Sequence, residues 1–238
     1  MSAQTTMANT VDLDGKWLYR VGGISALVLG IGYIIIIALY VPMGAPPSGA
    51  EARLAYIAGN TRAWWAILGL SVLTDFLFVP VALSLYLALK GINRDAMLVA
   101  TACVGLFIVL DLPLTWTNYD VLITLSGRYA AATSDAQRAV FVAAANYPSI
   151  VTDSGLLFVY NTLTLSVGIL LTGLVMLKGI FSKSTAYLAV ATGIFGVAAV
   201  ASSFFASSVS SVSIILASIL TTVWALFAGY RLYRLGRQ

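Results

Sequence analysis

The sequence predicts an all-α polytopic membrane protein: a bundle of six transmembrane helices, two short extracytoplasmic amphipathic helices, and both termini in the cytoplasm. Three observations predict it. Of the 238 residues, 60% are hydrophobic and 9% charged, against about 45–50% apolar and about 25% charged in soluble domains. Apolar runs long enough to cross hydrocarbon, about 20 residues each, recur six times between short polar turns. The 13 Lys and Arg residues stand singly at the ends of those runs, so the net charge of +4 serves topology and contact with lipid phosphate, not nucleic acid.

Residues 1–15, polar and carrying Asp12 and Asp14, read as a disordered cytoplasmic tail; residues 16–238 read as one transmembrane domain. The first span is Val21 to Val41. It exceeds the roughly 7–15 residues of a signal-peptide core and is therefore a retained helix. Trp17, Tyr19 and Tyr40 flank it as interfacial aromatics, and Gly22, Ala26 and Gly30 form a small-residue ridge for close helix contact. The Pro-rich segment Pro42 to Pro47 ends it. Ser48 with Glu51 fits a capping box for a short amphipathic helix up to Asn60, its face made of Leu54, Ile57 and Ala58. Such a helix rests on the membrane surface.

The second span, Ala63 to Leu89, carries Ser71 and Asp75 on one face and Pro80 as a kink. After the charged turn Lys90 to Asp95, the third span runs from Ala96 to Trp116, with Asp111 inside it and Pro113 disturbing its end. Ser134 with Gln137 fits a second capping box, and Val140, Phe141 and Ala144 give its helix an apolar face. The fourth span is Ile150 to Leu177, with Asp153, Tyr160, Asn161 and Thr164 along one face. The fifth is Thr185 to Phe205. The sixth, Val212 to Tyr230, carries Ser213, Ala217, Thr221, Ala225 and Gly229 at every fourth position, a packing strip for another helix, a second copy or a membrane partner.

Six spans place both termini on one side. That side holds Lys16, Arg20, Lys90, Arg94, Lys178, Lys183, Arg231, Arg234 and Arg237, and the other holds Arg53, Arg62, Arg128 and Arg138. Nine against four makes the first side cytoplasmic. Ser48, Ala50, Ala58 and Asn60 also match Ser134, Ala136, Ala144 and Asn146 at one offset, which carries Asp75 onto Asn161. This reads as parallel helical hairpins over 17–91 and 96–179, with a trimmed third over 184–230; the alternative is chance likeness between alanine-rich helices.

The chemistry rests on carboxylates. An acid at mid-membrane costs roughly 2.5–3.5 kcal/mol on insertion scales, and no Lys or Arg lies between Ala63 and Leu89 to neutralise Asp75. Asp75 must be protonated, hydrated, hydrogen-bonded or paired with a bound cation. With Asp111 further outward, Asp153 near the outer surface and Asp120 at the mouth, the acids would line a funnel for a cation, a proton or an amine. The competing reading makes Asp75 neutral glue between helices and the outer acids merely solvated. The candidate ligands are Asp75, Asp111, Asp153, Asn161, Tyr160 and Ser71.

There is no histidine and one cysteine, Cys103. Haem held by two His, His-containing zinc sites, His-based triads and an internal disulfide are excluded. No metal site, cofactor motif, phosphate loop or nucleophile elbow stands out, so no metal, cofactor or catalytic residue is assigned. Asp153-Ser154-Gly155 and Tyr119-Asp120 mimic fragments of aspartyl-protease motifs, but the Gly-x-Gly-Asp partner is missing. Trp64, Trp65, Trp116 and Tyr119 read as a membrane belt.

The run Lys16-Trp17-Leu18-Tyr19-Arg20-Val21-Gly22-Gly23, the polar loop helix and the Asp75 helix ending Leu85-Tyr86-Leu87-Ala88-Leu89 resemble a bacterial family of small six-helix membrane proteins of unknown function. The resemblance implies a six-helix protein of a bacterial inner membrane; it assigns no activity and no site residue. Three functions follow as expectations. The first is binding or permeation of a small polar or cationic solute. The second is an accessory or scaffold subunit docking through the sixth helix. The third is an enzyme acting on a lipid-like substrate with Asp acid and base, which requires two carboxyls within hydrogen-bonding distance.

Overall fold

The computed structural model describes residues 15–238; the tail expected over 1–15 lies outside them except for Gly15. The elements are α1 (Lys16–Met43), α2 (Ala50–Gly59), α3 (Thr61–Leu89), α4 (Arg94–Asp111), a π-helical turn (Leu112–Trp116), α5 (Thr117–Ala131), α6 (Asp135–Thr152), α7 (Gly155–Met176), α8 (Lys183–Ser203) and α9 (Ser207–Leu235). Among the described residues, six helices are long and apolar enough to cross a membrane: α1, α3, the continuous stretch Arg94–Ala131, α7, α8 and α9. The chain is a multi-pass helical membrane protein on this ground.

Several boundaries move. The third span does not end at Trp116: Pro113 is absorbed by the π turn and the helix continues to Ala131. A proline ring collides with the carbonyl four residues back and offers no N–H. One extra residue in the turn relieves both problems without breaking the helix. The fourth span starts at Gly155, because α6 runs through Pro148 to Thr152 and Asp153 is its C-cap. Asp153 therefore does not share a helix with Tyr160, Asn161 and Thr164. The expected cap Ser48 is not used: α2 starts after Gly49, whose φ of 89° lies in the left-handed region and which makes no side-chain cap bond. Ser134 does cap α6, accepting from Gln137 N at 3.3 Å. Gln137 Oε1 returns to Thr133 N at 3.0 Å.

The chain divides into two compact units. One takes the chain up to Ile31, Phe76–Ile108 and Val159–Gln238. Small residues set its helix contacts. A Cβ on Gly23 would come within 2.9 Å of Gly229 O, and one on Gly30 within 2.8 Å of Leu226 Cγ, so α1 lies directly on α9. A Cβ on Gly22 would meet Pro80 O at 2.8 Å, fixing the same helix against α3. Ser210 Oγ donates to Ala199 O at 2.8 Å, tying α9 to α8. The strip Ser213, Ala217, Thr221, Ala225 and Gly229 is buried. At Gly229 its neighbours are Ala26 and Leu27 of the same chain. Ser84 is fully buried, while Ile24 and Val28 are exposed, the small-inside, apolar-outside pattern of packing in lipid.

The other unit takes Gly32–Asp75 and Val109–Phe158. Its core is Leu54, Ile57, Trp64, Leu122, Ile123 and Ala145, with Tyr40, Tyr56, Tyr119 and Phe141 packed around it. Of the two loop helices expected to rest on the membrane, α2 buries Leu54 and Ile57 in this core, and α6 packs on α2 and α5 through Ala145. The face of α6 is also rotated from the expected one: Ala145, Pro148 and Ser149 are buried, while Val140 is 64% exposed. Arg53 clasps this unit. Buried to 3% exposure, it donates from Nη1 to Thr152 Oγ1 at 2.7 Å and Ser149 O at 3.2 Å. Its Nη2 reaches Pro47 O at 3.2 Å and Asp153 Oδ1 at 2.6 Å.

Candidate carboxyl-pair site

Asp75 stands in the middle of α3 and Asp111 at the last residue of α4. Both are buried, at 3% and 7% exposure. The indole N–H of Trp116 is shared between them, 3.1 Å from Asp75 Oδ2 and 2.8 Å from Asp111 Oδ2. One nitrogen within reach of both Oδ2 atoms places the two carboxyl groups beside each other. Like charges sharing one buried site repel, and a proton or a bound cation between them relieves that repulsion.

The π turn makes this geometry. In a regular α-helix of 3.6 residues per turn, side chains five apart point about 140° from each other. The extra residue between Asp111 and Trp116 brings the indole round onto the carboxylate. Thr115 also hydrogen-bonds Asp111. On α3, Thr74 Oγ1 donates to Ser71 O at 2.8 Å, and the Tyr33 hydroxyl of α1 bonds Thr74. The pair thus sits inside a shell of Tyr33, Thr74, Thr115 and Trp116.

An aromatic column leads from the pair into the core of the same unit. Trp116 and Tyr119 have ring centroids 5.8 Å apart, and Tyr119 stacks on Trp64 at 5.0 Å and 17°. Tyr40 and Tyr56 meet Trp64 edge-on at 5.6 and 6.1 Å. These rings stack on one another instead of forming a membrane belt; Trp65, 47% exposed, stands outside the column.

Of the residues the sequence singles out, Asp75 and Asp111 come together at one level, where different depths were expected. Ser71 joins through its backbone carbonyl. Asp153 pairs with Arg53 and is a structural partner in that clasp. Tyr160 and Asn161 belong to the other unit, where their carbonyls accept from Thr164 Oγ1 at 2.5 and 3.3 Å. Asp120 is exposed in the first turn of α5. Neither half of the protease-like pattern therefore supplies the carboxyl pair. Tyr33, Thr74 and Thr115 were missed and Trp116 was misread. The signal that could have found Trp116 is the spacing Asp111-Leu112-Pro113-Leu114-Thr115-Trp116, a proline between an acid and an indole in an apolar helix. No family model, no curated protein and no solved structure matches the chain.

Proposed function

We propose that the protein binds a small monovalent cation, sodium-like or a protonated amine, at Asp75 and Asp111 in exchange for the proton the pair shares, as part of permeation or sensing across a bacterial inner membrane. The observation that carries this reading is the pair itself: two buried carboxyls on one indole N–H in apolar helices. Intramembrane acids with a paired, exchangeable proton are the chemistry of ion and proton pathways. The cation replaces the proton as the charge that lets both carboxylates ionise. The distribution of nine cations against four supports cytoplasmic termini, with the site reached from the outside. The burial of the α9 strip within the same chain weakens the accessory-subunit reading.

Infrared difference spectra of the purified protein in lipid test the proposal. Adding sodium or methylammonium should bleach a protonated-carboxyl band in the native protein, and not in Asp75→Asn or Asp111→Asn. A band indifferent to both solutes would sink cation exchange and leave the pair as helix glue.

The sharing of one donor by the two carboxyls also favours a second reading, an acid–base pair acting on an ester- or amide-bearing lipid. That reading predicts turnover of such a lipid, lost in both Asn variants, with no response of the carboxyl band to sodium.

A further inference from the structure

The first unit gathers its positive charge at one end. Four chain segments meet there. A Cβ on Gly236 would lie 2.6 Å from Arg20 Cγ and 2.8 Å from Lys16 O, so the C-terminal turn sits on the start of α1. Arg20 Nε donates to Gly236 O at 2.6 Å. Gly15 touches Leu87 near the end of α3. A Cβ on Gly179 would lie 2.7 Å from Ile92 Cδ1 and 2.9 Å from Leu89 Cδ2, which places the α7–α8 turn on the α3–α4 turn. Arg231 of α9 closes the ring, donating from Nε and Nη2 to Ile180 O at 3.3 and 3.0 Å.

These segments carry Lys16, Arg20, Lys90, Arg94, Lys178, Lys183, Arg231, Arg234 and Arg237, and Asp95 is the only acid among the described residues of this unit. The cations are also held in place. Lys183 Nζ bonds Leu177 O. Arg234 lies over the Tyr230 ring at 5.8 Å and Arg237 over Tyr233 at 4.9 Å. Arg20, Lys183, Arg231, Arg234 and Arg237 are thus held by carbonyls and ring faces, in a unit whose described residues set one acid against nine cations. The helices that these turns join carry exposed apolar side chains, among them Leu83, Leu98, Leu174 and Phe227.

We infer that this end is a binding surface for acidic phospholipid headgroups, centred on the corner where Lys178, Lys183 and Arg231 surround the α7–α8 turn beside Lys90. Phosphate chemistry suits the site: Arg offers several N–H donors and Lys a compact charge. The occupant is the lipid and not free phosphate, because the corner caps helices whose outer faces are apolar, so acyl chains find a surface directly below. This inference does not depend on the carboxyl pair.

Native mass spectrometry of the full chain, released from micelles containing equal phosphatidylcholine and phosphatidylglycerol, reads the preference. The native protein should retain phosphatidylglycerol in excess. Lys178→Gln, Lys183→Gln and Arg231→Gln together should lower that excess by about fivefold per charge removed. Arg128→Gln with Arg138→Gln, in the other unit, should leave it unchanged. Raising salt should erode the preference in the native protein, which also serves if the triple variant fails to fold. Equal retention of both lipids, a preference that survives the triple substitution or high salt, or its abolition by millimolar inorganic phosphate would each overturn the assignment.

Discussion

Trp116 is the residue on which the site turns, since one N–H serves two buried carboxyls. Hydrogen bonds to charged groups are worth about 1.5–3 kcal/mol, and a buried acceptor left without its donor costs a similar amount. Trp116→Phe keeps the ring stack with Tyr119 and removes only the donor. It should lower unfolding stability in detergent by about 2 kcal/mol and shift the sodium response of the carboxyl band; an unchanged melt and spectrum would mean the indole is a bystander. Arg53 tests a different kind of residue. Its guanidinium is buried, whereas Asp153 is about half exposed. Arg53→Ala should cost about 1.5–3 kcal/mol, the range for hydrogen bonds to a charged group, and Asp153→Asn about 1 kcal/mol or less, because water can replace it. Chemical denaturation of the two variants side by side checks the ratio. Asp75 was legible in the sequence because an acid in an apolar run has few explanations. Arg53 was not, because a lone arginine in a polar loop reads as a topology charge until the carbonyls of Pro47 and Ser149 are seen around it.

At the level of elements, the π turn decides where Trp116 points. Removing its cause should remove its effect. Pro113→Ala restores an N–H and clears the clash with the carbonyl four residues earlier, so the segment should relax to α-helix and swing the indole away from Asp111. Paired with Trp116→Phe, the substitution should cost nothing further at the carboxyl band, since the donor is already gone; additive losses in this double-mutant cycle would show that the turn does not act through the indole. Spanning helices were readable to within a few residues because length and apolarity alone define them, except the third, which runs on past Trp116 to Ala131. The packing of the loop helices against protein was not legible for a physical reason. An amphipathic helix has the same periodicity whether its apolar face meets lipid or protein, and only Leu54, Ile57 and Trp64 at full burial distinguish the two.

For the molecule as a whole, charge asymmetry predicts cytoplasmic termini. With Cys103→Ser as background, a cysteine at Gln238 should stay unlabelled by a membrane-impermeant maleimide in intact cells, and one at the exposed Ala131 should react. The opposite pattern would invert the protein and the side from which the carboxyl pair is reached. Topology of this kind is carried by composition and needs no tertiary information. The meeting of Asp75 with Asp111 depends on packing between separate helices, which a single sequence does not encode in any local pattern.

The five tryptophans differ enough in surroundings to make the protein its own probe. Trp17 and Trp65 are exposed, and the indole nitrogens of Trp64 and Trp224 are buried with no hydrogen-bond partner among the described residues. Trp116 alone among them donates to carboxyl oxygens. Excited indole emission depends on its hydrogen-bonded partner and on nearby proton donors. Replacing the other four by Phe would therefore leave a single emitter whose colour and lifetime follow the occupancy of the pair in real time, in unlabelled protein and in native lipid.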